Sequence, residues 1–230
     1  MLKRILTNDY EQGLRTNSVI IQQGIAFCRA AVANNRFPLG LYQRDYDYFY
    51  LFCKEVYADS PYSEKNDQMF DLFGSSSFYK YAEQLTAHLK LDALEQYDTV
   101  LFGQPLSNFD NVMKRSDEEE ILRDIIGDRK VLVLPHPNEI LGADNKYQVL
   151  PNATVLIANV PSDLITALLK PRKTITFSST IGITYALSNP KTTNHFFPIY
   201  GSQATMLFRY QQYIPNIIID ESHVIAEFRY

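Results

Sequence analysis

His136 is the residue whose setting points most directly to chemistry. It is one of four histidines in the chain and lies between Pro135 and Pro137, directly after the apolar run 130–134. The two prolines restrict the backbone and so hold the imidazole in a narrow range of positions. A histidinium there could bind a phosphate and offset the charge that develops as a nucleotide leaves. The alternative, which the His-Pro dipeptide alone favours, is a loop histidine that caps a carbonyl.

Ser178, Ser179 and Thr180 form a second candidate, at the point where a predicted strand gives way to a predicted helix. Hydroxyls and backbone N–H groups in the first turn of a helix form an anion site, which the helix dipole strengthens. The same residue types are also preferred as ordinary helix N-caps. Two strand ends that could bind an anion would lie in one parallel sheet. Together they support a phosphate site about as well as an ordinary N-cap.

Two acidic residues extend the candidate site. Asp163 lies in the first turn of another predicted helix, where its carboxylate could accept both hydroxyls of a ribose. Acids also occur at that position simply to complement the helix dipole. Glu11 precedes Gly13 after the first predicted strand and is a candidate general base, because glycine lets a substrate approach the backbone. A surface glutamate is the alternative interpretation.

Other patterns in the sequence give weaker evidence of function. There is no Walker loop, no GxGxxG after a strand and no HExxH, and the acid pairs at 45/47 and 220–221 lack the rest of a metal site. We therefore expect no metal. The acidic segment 117–120 is interpreted as a solvated helix start. The basic segment 170–173 is interpreted as a solvated turn, with a phosphate or anionic-surface contact as the alternative.

Short apolar runs alternate with helical patterns in the second half of the chain. Strands are predicted at 99–102, 130–134, 154–157, 174–177, 195–197 and 217–219. Helices are predicted from a capping box at 116–119, and over 161–169 and 181–187. This alternation indicates βαβ units and a parallel, doubly wound sheet, which binds its ligand at the carboxyl ends of the strands. Three polar segments fall at such ends: Gly103–Gln104, His136–Pro137 and Ser178–Ser179.

The first half of the chain is less regular. A strand is predicted at 3–7, an amphipathic helix over 18–34 and a further helix over 79–91. The tyrosine-rich segment 36–77 is interpreted as irregular. A domain boundary is predicted near residue 95, between a region 1–95 and a region 96–230.

Composition limits the classes of function. The formal net charge of -4 argues against a nucleic-acid partner, since phosphate backbones require a basic surface. Cys28 and Cys53 match no metal-ligand spacing and are expected to be buried free thiols. No signal peptide and no apolar run of about 20 residues is visible, so the expected location is cytoplasmic, with peripheral association at the inner membrane as an alternative.

Taken in order, these motifs resemble those of the bacterial sialyltransferases with a GT-B fold, which include the lipooligosaccharide sialyltransferases of glycosyltransferase family 52 and the capsular polysialyltransferases. The family pattern is an acidic pair before glycine, then His-Pro, then a serine pair. The last two are intact here as Leu134-Pro135-His136-Pro137-Asn138-Glu139 and Phe177-Ser178-Ser179-Thr180. The acidic motif is present in degenerate form as Asp9-Tyr10-Glu11-Gln12-Gly13-Leu14, with Gln12 where a second acid is usual. The segments 101–107 and 159–165 are also similar, so the resemblance covers about residues 97 to 188.

The resemblance implies a Rossmann-like, cytidine-nucleotide-binding domain over 96–230 and a reduced, partial acceptor-side region over 1–95. It implies an inverting transfer of sialic acid from CMP-sialic acid to a cell-surface glycan, without a cofactor. Glu11 would be the general base, and His136 would stabilise the departing cytidine monophosphate by charge or by donating a proton. Donor contacts would come from Gly103, Gln104, His136, Pro137, Asp163, Ser178, Ser179 and Thr180.

Two alternatives stay open at this stage. One is a related glycosyltransferase with another nucleotide-sugar donor. The other is a truncated, non-catalytic nucleotide-binding module, which Gln12 and the short region 1–95 favour. The acceptor glycan, its linkage and the oligomeric state are not predicted.

Overall fold

The computed structural model of this chain describes residues 4–7, 18–21, 48–51, 53–57, 66–68, 76–94, 96–107, 112–139 and 145–225. The predicted base Glu11, its neighbour Gln12 and Cys28 lie outside the described residues. Cys53 is a buried free thiol, as predicted, and its pKa is raised to about 11 by burial and by the Glu55 carboxylate beside it.

Four short strands of the first half form a parallel sheet in the order β1-β2-β3-β4. They are β1 Arg4–Thr7, β2 Ser18–Ile21, β3 Tyr48–Leu51 and β4 Asn66–Gln68. β1 confirms the strand predicted at 3–7. The helix predicted over 18–34 is wrong at its start, because Val19, Ile20 and Ile21 are β-branched and pair as a strand. β3 and β4 fall within the segment interpreted as irregular.

The second half builds a larger sheet of six parallel strands, separated mainly by helices. The strands are β5 Thr99–Phe102, β6 Val131–Leu134, β7 Ala153–Val155, β8 Lys173–Thr176, β9 Thr193–Phe196 and β10 Ile217–Ile219. The helices are α1 Ser76–Thr86, α2 Arg115–Ile126, α3 Ser162–Leu169, α4 Thr180–Ser188 and α5 Gly201–Gln211. The strand order is β10-β9-β8-β5-β6-β7. Counted from β5, this is the 3-2-1-4-5-6 order of doubly wound nucleotide-binding sheets.

The order reverses between β5 and β8, which are paired directly with Leu101 opposite Ile175. β6 is the other neighbour of β5. Because all six strands are parallel, their carboxyl ends share one edge of the sheet. The predicted parallel α/β architecture of the second half is therefore confirmed, and the predicted site segments after β5, β6 and β8 follow three adjacent strands.

The two faces of this sheet pack into separate apolar layers. On one face Leu101, Val133 and Ile175 pack with Leu122 and Ile126 of α2. The alternate residues of the same strands point to the other face, where the layer contains Val100, Phe102, Leu132, Leu134, Ile165 of α3 and Ile181 of α4. Coverage on both faces explains why β6 is apolar throughout rather than alternating, whereas β8 alternates buried Thr174 and Thr176 with Ile175.

The start of α2 differs from the prediction. The helix begins at Arg115, and Lys114 is its N-cap with no side-chain hydrogen bond, so the capping box predicted at 116–119 is wrong. The segment 117–120 is also not a uniformly solvated start, because Glu118 is fully buried. α2 ends at Ile126, and its C-cap is Gly127, whose φ of 56° favours glycine and whose N–H donates to the Arg123 carbonyl.

Helix α1 packs against α3, across the predicted boundary near residue 95. The C-cap of α3 is Lys170, which is in the left-handed conformation with φ of 47°. The ammonium of Lys170 lies 5.2 Å from the ring centre of Tyr79 on α1, within cation–π range. None of the helices in the described part of the chain has the length and apolar character that a membrane span requires.

Candidate functional site

His136 lies in a tight turn directly after β6. The carbonyl of His136 accepts a hydrogen bond from the N–H of Glu139 at 2.9 Å, with Pro137 at the position that turns favour for proline. The N–H of Asn138 donates to Nδ1 of His136 at 3.1 Å. An Nδ1 that accepts a hydrogen bond carries no proton, so the neutral ring is protonated on Nε2. The imidazole is therefore oriented as a donor through Nε2–H.

A cleft of about 510 Å³ opens beside this turn, at the carboxyl ends of β6 and β7 and the start of α3. Polar groups reach it from His136, Asn159 and Ser162, while Ile165 and the 70% exposed Ile157 supply apolar surface. Of the predicted donor-binding residues, His136 and Pro137 line this cleft. Gly103, Gln104, Asp163 and Ser178–Thr180 do not.

Asp163 lies one residue beyond the cleft lining, in the first turn of α3, and is partly buried. Burial raises the pKa of its carboxyl above the usual range. No cation in the described part of the chain forms an ion pair with it. The groups that can stabilise its negative charge are therefore the N-terminus of α3 and a bound ligand. A carboxylate with a raised pKa beside a cleft is typical of a functional position.

The serine pair divides into two different environments. Ser178 donates through Oγ to Oε1 of Gln104 at 3.0 Å and accepts from Nε2 of Gln203 at 3.2 Å. Ser178 would have to exchange the bond to Gln104 in order to donate to a phosphate. Ser179 is the N-cap of α4, but its side chain makes no capping hydrogen bond. The predicted alternative of a side-chain cap is therefore absent at Ser179, and its hydroxyl is the better placed of the two for a ligand.

Gly103 and Gln104 follow β5, between the two predicted motifs. The Gly103 N–H donates to the Leu134 carbonyl at 2.9 Å, which holds the β5 loop against the end of β6. A Cβ at position 103 would collide first with the hydroxyl of Tyr147, and would lie 2.5 Å from Oε2 of Glu139 and 3.0 Å from Cα of Pro135. Only glycine therefore allows this close approach of the two loops. Neighbouring strands are spaced by about 4.8 Å, so the tips of β6 and β8 are separated by roughly 10 Å.

A buried charged network lies beneath these loops, and its members had no predicted role. Lys146 forms ion pairs with Glu118 and with Glu139, and all three side chains are at most 2% exposed. Lys146 also donates to the carbonyl of Gln104. The hydroxyl of Tyr147 donates to Glu139 at 2.7 Å. Burial and the charge of Glu139 raise the pKa of Tyr147 well above its usual value, which keeps this donor protonated.

The remaining bonds of this network are to the site loops. Oε2 of Glu139 accepts from the N–H of His136 at 2.6 Å, and Oε2 of Glu118 accepts from the N–H of Ser107 at 3.0 Å. Each carboxylate thus has donors on both oxygens. Because the network holds the loops after β5 and β6 together, it fixes the position of the His136 turn relative to the switch point.

Gln203 also had no predicted role. Its Oε1 accepts from the backbone N–H groups of Ile199 and Tyr200, while its Nε2 donates to Ser178. Tyr200 is the N-cap of α5, and the bond from its N–H to Gln203 is the glutamine half of a capping box. The sequence carried no capping-box signature here, because the N-cap is a tyrosine rather than serine, threonine, aspartate or asparagine. Gln203 connects the loop after β9 to the tip of β8.

Comparison with models of known protein families found no match, and a search of curated proteins found no significant match either.

Proposed function

We propose that this chain is an inverting glycosyltransferase of the sialyltransferase type, which transfers sialic acid from CMP-sialic acid to a hydroxyl of a lipooligosaccharide or capsular glycan. The observation that carries the proposal is the His136 turn. His136, with Nε2 as its remaining donor, lines a 510 Å³ cleft at the carboxyl ends of β6 and β7, and β6 is the neighbour of β5, where the strand order reverses. Such a sheet binds nucleotides at the carboxyl ends of its strands. The His-Pro and Ser-Ser motifs of the resemblance fall on two of the three central strand tips.

In the proposed complex, cytidine monophosphate would occupy the edge between the cleft and the start of α4. The phosphate would accept a hydrogen bond from Nε2–H of His136. From the other side it would accept hydrogen bonds from the hydroxyl of Ser179 and from the N-terminal N–H groups of α4. Asp163 would accept from the ribose, with the base against the apolar cleft wall. Nδ1 of His136 is already an acceptor, which favours hydrogen bonding over full proton donation as the role of the imidazole.

The proposed reaction is a single displacement. The acceptor hydroxyl oxygen forms a bond to the anomeric carbon of sialic acid as the bond from that carbon to the phosphate oxygen breaks. Cytidine monophosphate leaves with the electron pair, and Glu11 takes the proton of the acceptor hydroxyl. The donors around the phosphate stabilise the negative charge that develops there.

The first test is nucleotide binding by calorimetry to wild type, His136→Ala and the matched control His88→Ala, which changes an exposed histidine. Cytidine monophosphate should bind wild type and the control alike. His136→Ala should bind about 10- to 150-fold more weakly, since a hydrogen bond to a charged group contributes about 1.5–3 kcal/mol. Its melting temperature should stay close to that of wild type, because His136 is only partly buried.

Two results would contradict the proposal. Equal affinity in wild type and His136→Ala would remove His136 from the site, and preference for uridine nucleotides would indicate a different sugar donor. Transfer assays on wild type and Glu11→Ala then separate an enzyme from a non-catalytic module. A module would bind the nucleotide but transfer no sugar in either protein.

A further inference from the structure

The amide relay, formed by Gln203, Ser178 and Gln104, is a series of hydrogen bonds with a fixed direction. Oε1 of Gln203 accepts from the N–H of Ile199 at 3.0 Å and from the N–H of Tyr200 at 3.2 Å. Only the oxygen of an amide can accept from an N–H donor, so these two bonds fix which branch of the amide is Nε2. That Nε2 donates to Oγ of Ser178 at 3.2 Å.

The direction of the relay continues into Gln104. Because Oγ of Ser178 accepts from Gln203, its own proton is left for another acceptor, and it donates to Oε1 of Gln104 at 3.0 Å. The other branch of the Gln104 amide is then Nε2, with two N–H groups. Among the residues that the structure describes, none accepts a hydrogen bond from this Nε2, and the side chain is only partly buried. Gln104 therefore keeps donors that a ligand can use.

The backbone of Gln104 is fixed independently of its side chain. Its carbonyl accepts a hydrogen bond from Lys146, and the N–H of Gly103 before it donates to the Leu134 carbonyl at 2.9 Å. The terminal torsion of a glutamine side chain is broad and nearly two-fold, so the backbone alone does not decide which branch of the amide faces a ligand. The bond from Ser178 makes that choice.

A phosphate distinguishes the two branches of the amide, because an N–H donates to its oxygens whereas an amide oxygen repels them. In the sheet β5 lies between β6 and β8. Gln104, two residues beyond β5, thus lies between the His136 turn and the start of α4, where the phosphate of the proposed donor would lie.

We propose that Gln203 is a positioning residue of the donor site: through Ser178 it turns the Gln104 amide so that Nε2 donates to the phosphate of the nucleotide. The inference rests on the proposed function for the identity of that phosphate. It gives the two serines different roles, since Ser178 orients a neighbour while Ser179 contacts the ligand.

The test is Gln203→Glu, which keeps the acceptor of this side chain and removes its donor. One carboxylate oxygen can still accept from the two backbone N–H groups, and glutamate serves in a capping box as glutamine does. The other oxygen can only accept, so Ser178 would donate to it and the Gln104 amide would turn Nε2 toward Ser178. The melting temperature should therefore stay at or above that of wild type. Cytidine monophosphate should bind about tenfold more weakly or worse, whereas cytidine, which lacks the phosphate, should bind both proteins alike.

A double variant separates the relay from the effect of the new charge. Ser178→Ala should weaken cytidine monophosphate binding, and Gln203→Glu added to Ser178→Ala should weaken it no further, because Gln203 acts only through Ser178. A loss that persists in the double variant would overturn the proposal. If Ser178→Ala fails to fold, Gln104→Ala is the second background, in which Gln203→Glu should again have no effect. The control Gln212→Glu adds the same charge at the exposed C-cap of α5 and should bind like wild type.

A measurement without ligand separates this proposal from the proposed function. The side-chain amide resonances of Gln104, assigned by NMR with Gln104→Ala, should shift in Gln203→Glu and stay unchanged in Gln212→Glu. If wild type does not bind cytidine monophosphate, the proposed function fails and the phosphate contact with it, while a shift of these resonances would still show that Gln203 orients the amide. Unchanged resonances in Gln203→Glu, or nucleotide affinity equal to that of wild type, would overturn the proposal.

Discussion

Lys146→Met tests whether the buried charged network holds the candidate site together. The substitution keeps a long apolar stem but removes the cation between Glu118 and Glu139, whose side chains are both fully buried. Removing one partner of a buried ion pair typically costs about 3–5 kcal/mol, because an uncompensated charge is left behind. For a chain of this length, that corresponds to a fall of roughly 6–20 °C in the melting temperature.

The assay is chemical and thermal unfolding of Lys146→Met beside Lys191→Met, which changes an exposed lysine. The control should stay within about 0.5 kcal/mol of wild type. The loss of unfolding free energy in Lys146→Met should be smaller at pH 5 than at pH 8, because a buried carboxylate without its cation can take up a proton at the lower pH. Cytidine monophosphate should also bind more weakly, since Lys146 donates to the Gln104 carbonyl.

A double variant makes the test quantitative. Adding Glu118→Gln to Lys146→Met removes one of the two carboxylates that have lost their cation. The double variant should therefore be more stable than the sum of the two single changes predicts, by about 0.5–3 kcal/mol. Strict additivity, or a Lys146→Met protein as stable as wild type at pH 8, would refute the assignment of a tightly coupled buried network.

Two further predictions concern the loops around the cleft. Asp163→Asn should raise the melting temperature at pH 7, because burial raises the pKa of this carboxyl and its ionisation costs stability as pH rises. In thermal unfolding at different pH values, the gain in stability should vanish below the pKa of about 3.9 that aspartate has in the unfolded chain. The variant should also bind cytidine monophosphate more weakly than wild type. A variant that is less stable than wild type at pH 7 would contradict a carboxyl whose ionisation is disfavoured by burial. Gly103→Ala should lower stability by about 1–3 kcal/mol in urea unfolding and weaken nucleotide binding, since its Cβ would displace Glu139 from the His136 turn. Unchanged stability would show that the loops are not closely packed.

The strands β5, β6 and β10 could be predicted because each is a short, mainly apolar run that is followed by polar residues or glycine, whereas β8 and β9 are mostly polar in composition. Runs such as 131–134 are buried on both faces, so their composition reports their position directly. The order of the strands in the sheet could not be predicted, because the sequence of a single strand does not say which strands lie beside it. The doubly wound prediction brought His136 and Ser178 to one edge, but only the observed order places β5 and Gln104 between them.

Other features were hidden for identifiable reasons. Glu118 lies among the acids at a helix start, where solvent is the usual environment, and its partner Lys146 is 28 residues away. The run Val19–Ile21 is too short for periodicity to separate a strand from a helix. α5 contains Gly201 and aromatic residues of modest helix propensity, so its formation depends on buried Ala204 and Leu207.

The charged side chains beneath the candidate site carry a desolvation penalty that apolar side chains would not. Replacing a buried ion pair by apolar side chains of similar volume is often neutral or stabilising, so packing alone does not require Lys146 and its two glutamates. What apolar side chains could not supply are the directed bonds to the His136 N–H, the Ser107 N–H and the Gln104 carbonyl. These bonds fix the backbone of two adjacent strand tips, the geometry on which a ligand spanning those tips depends. The network is thus better explained by the demands of a binding edge than by those of the sheet below it.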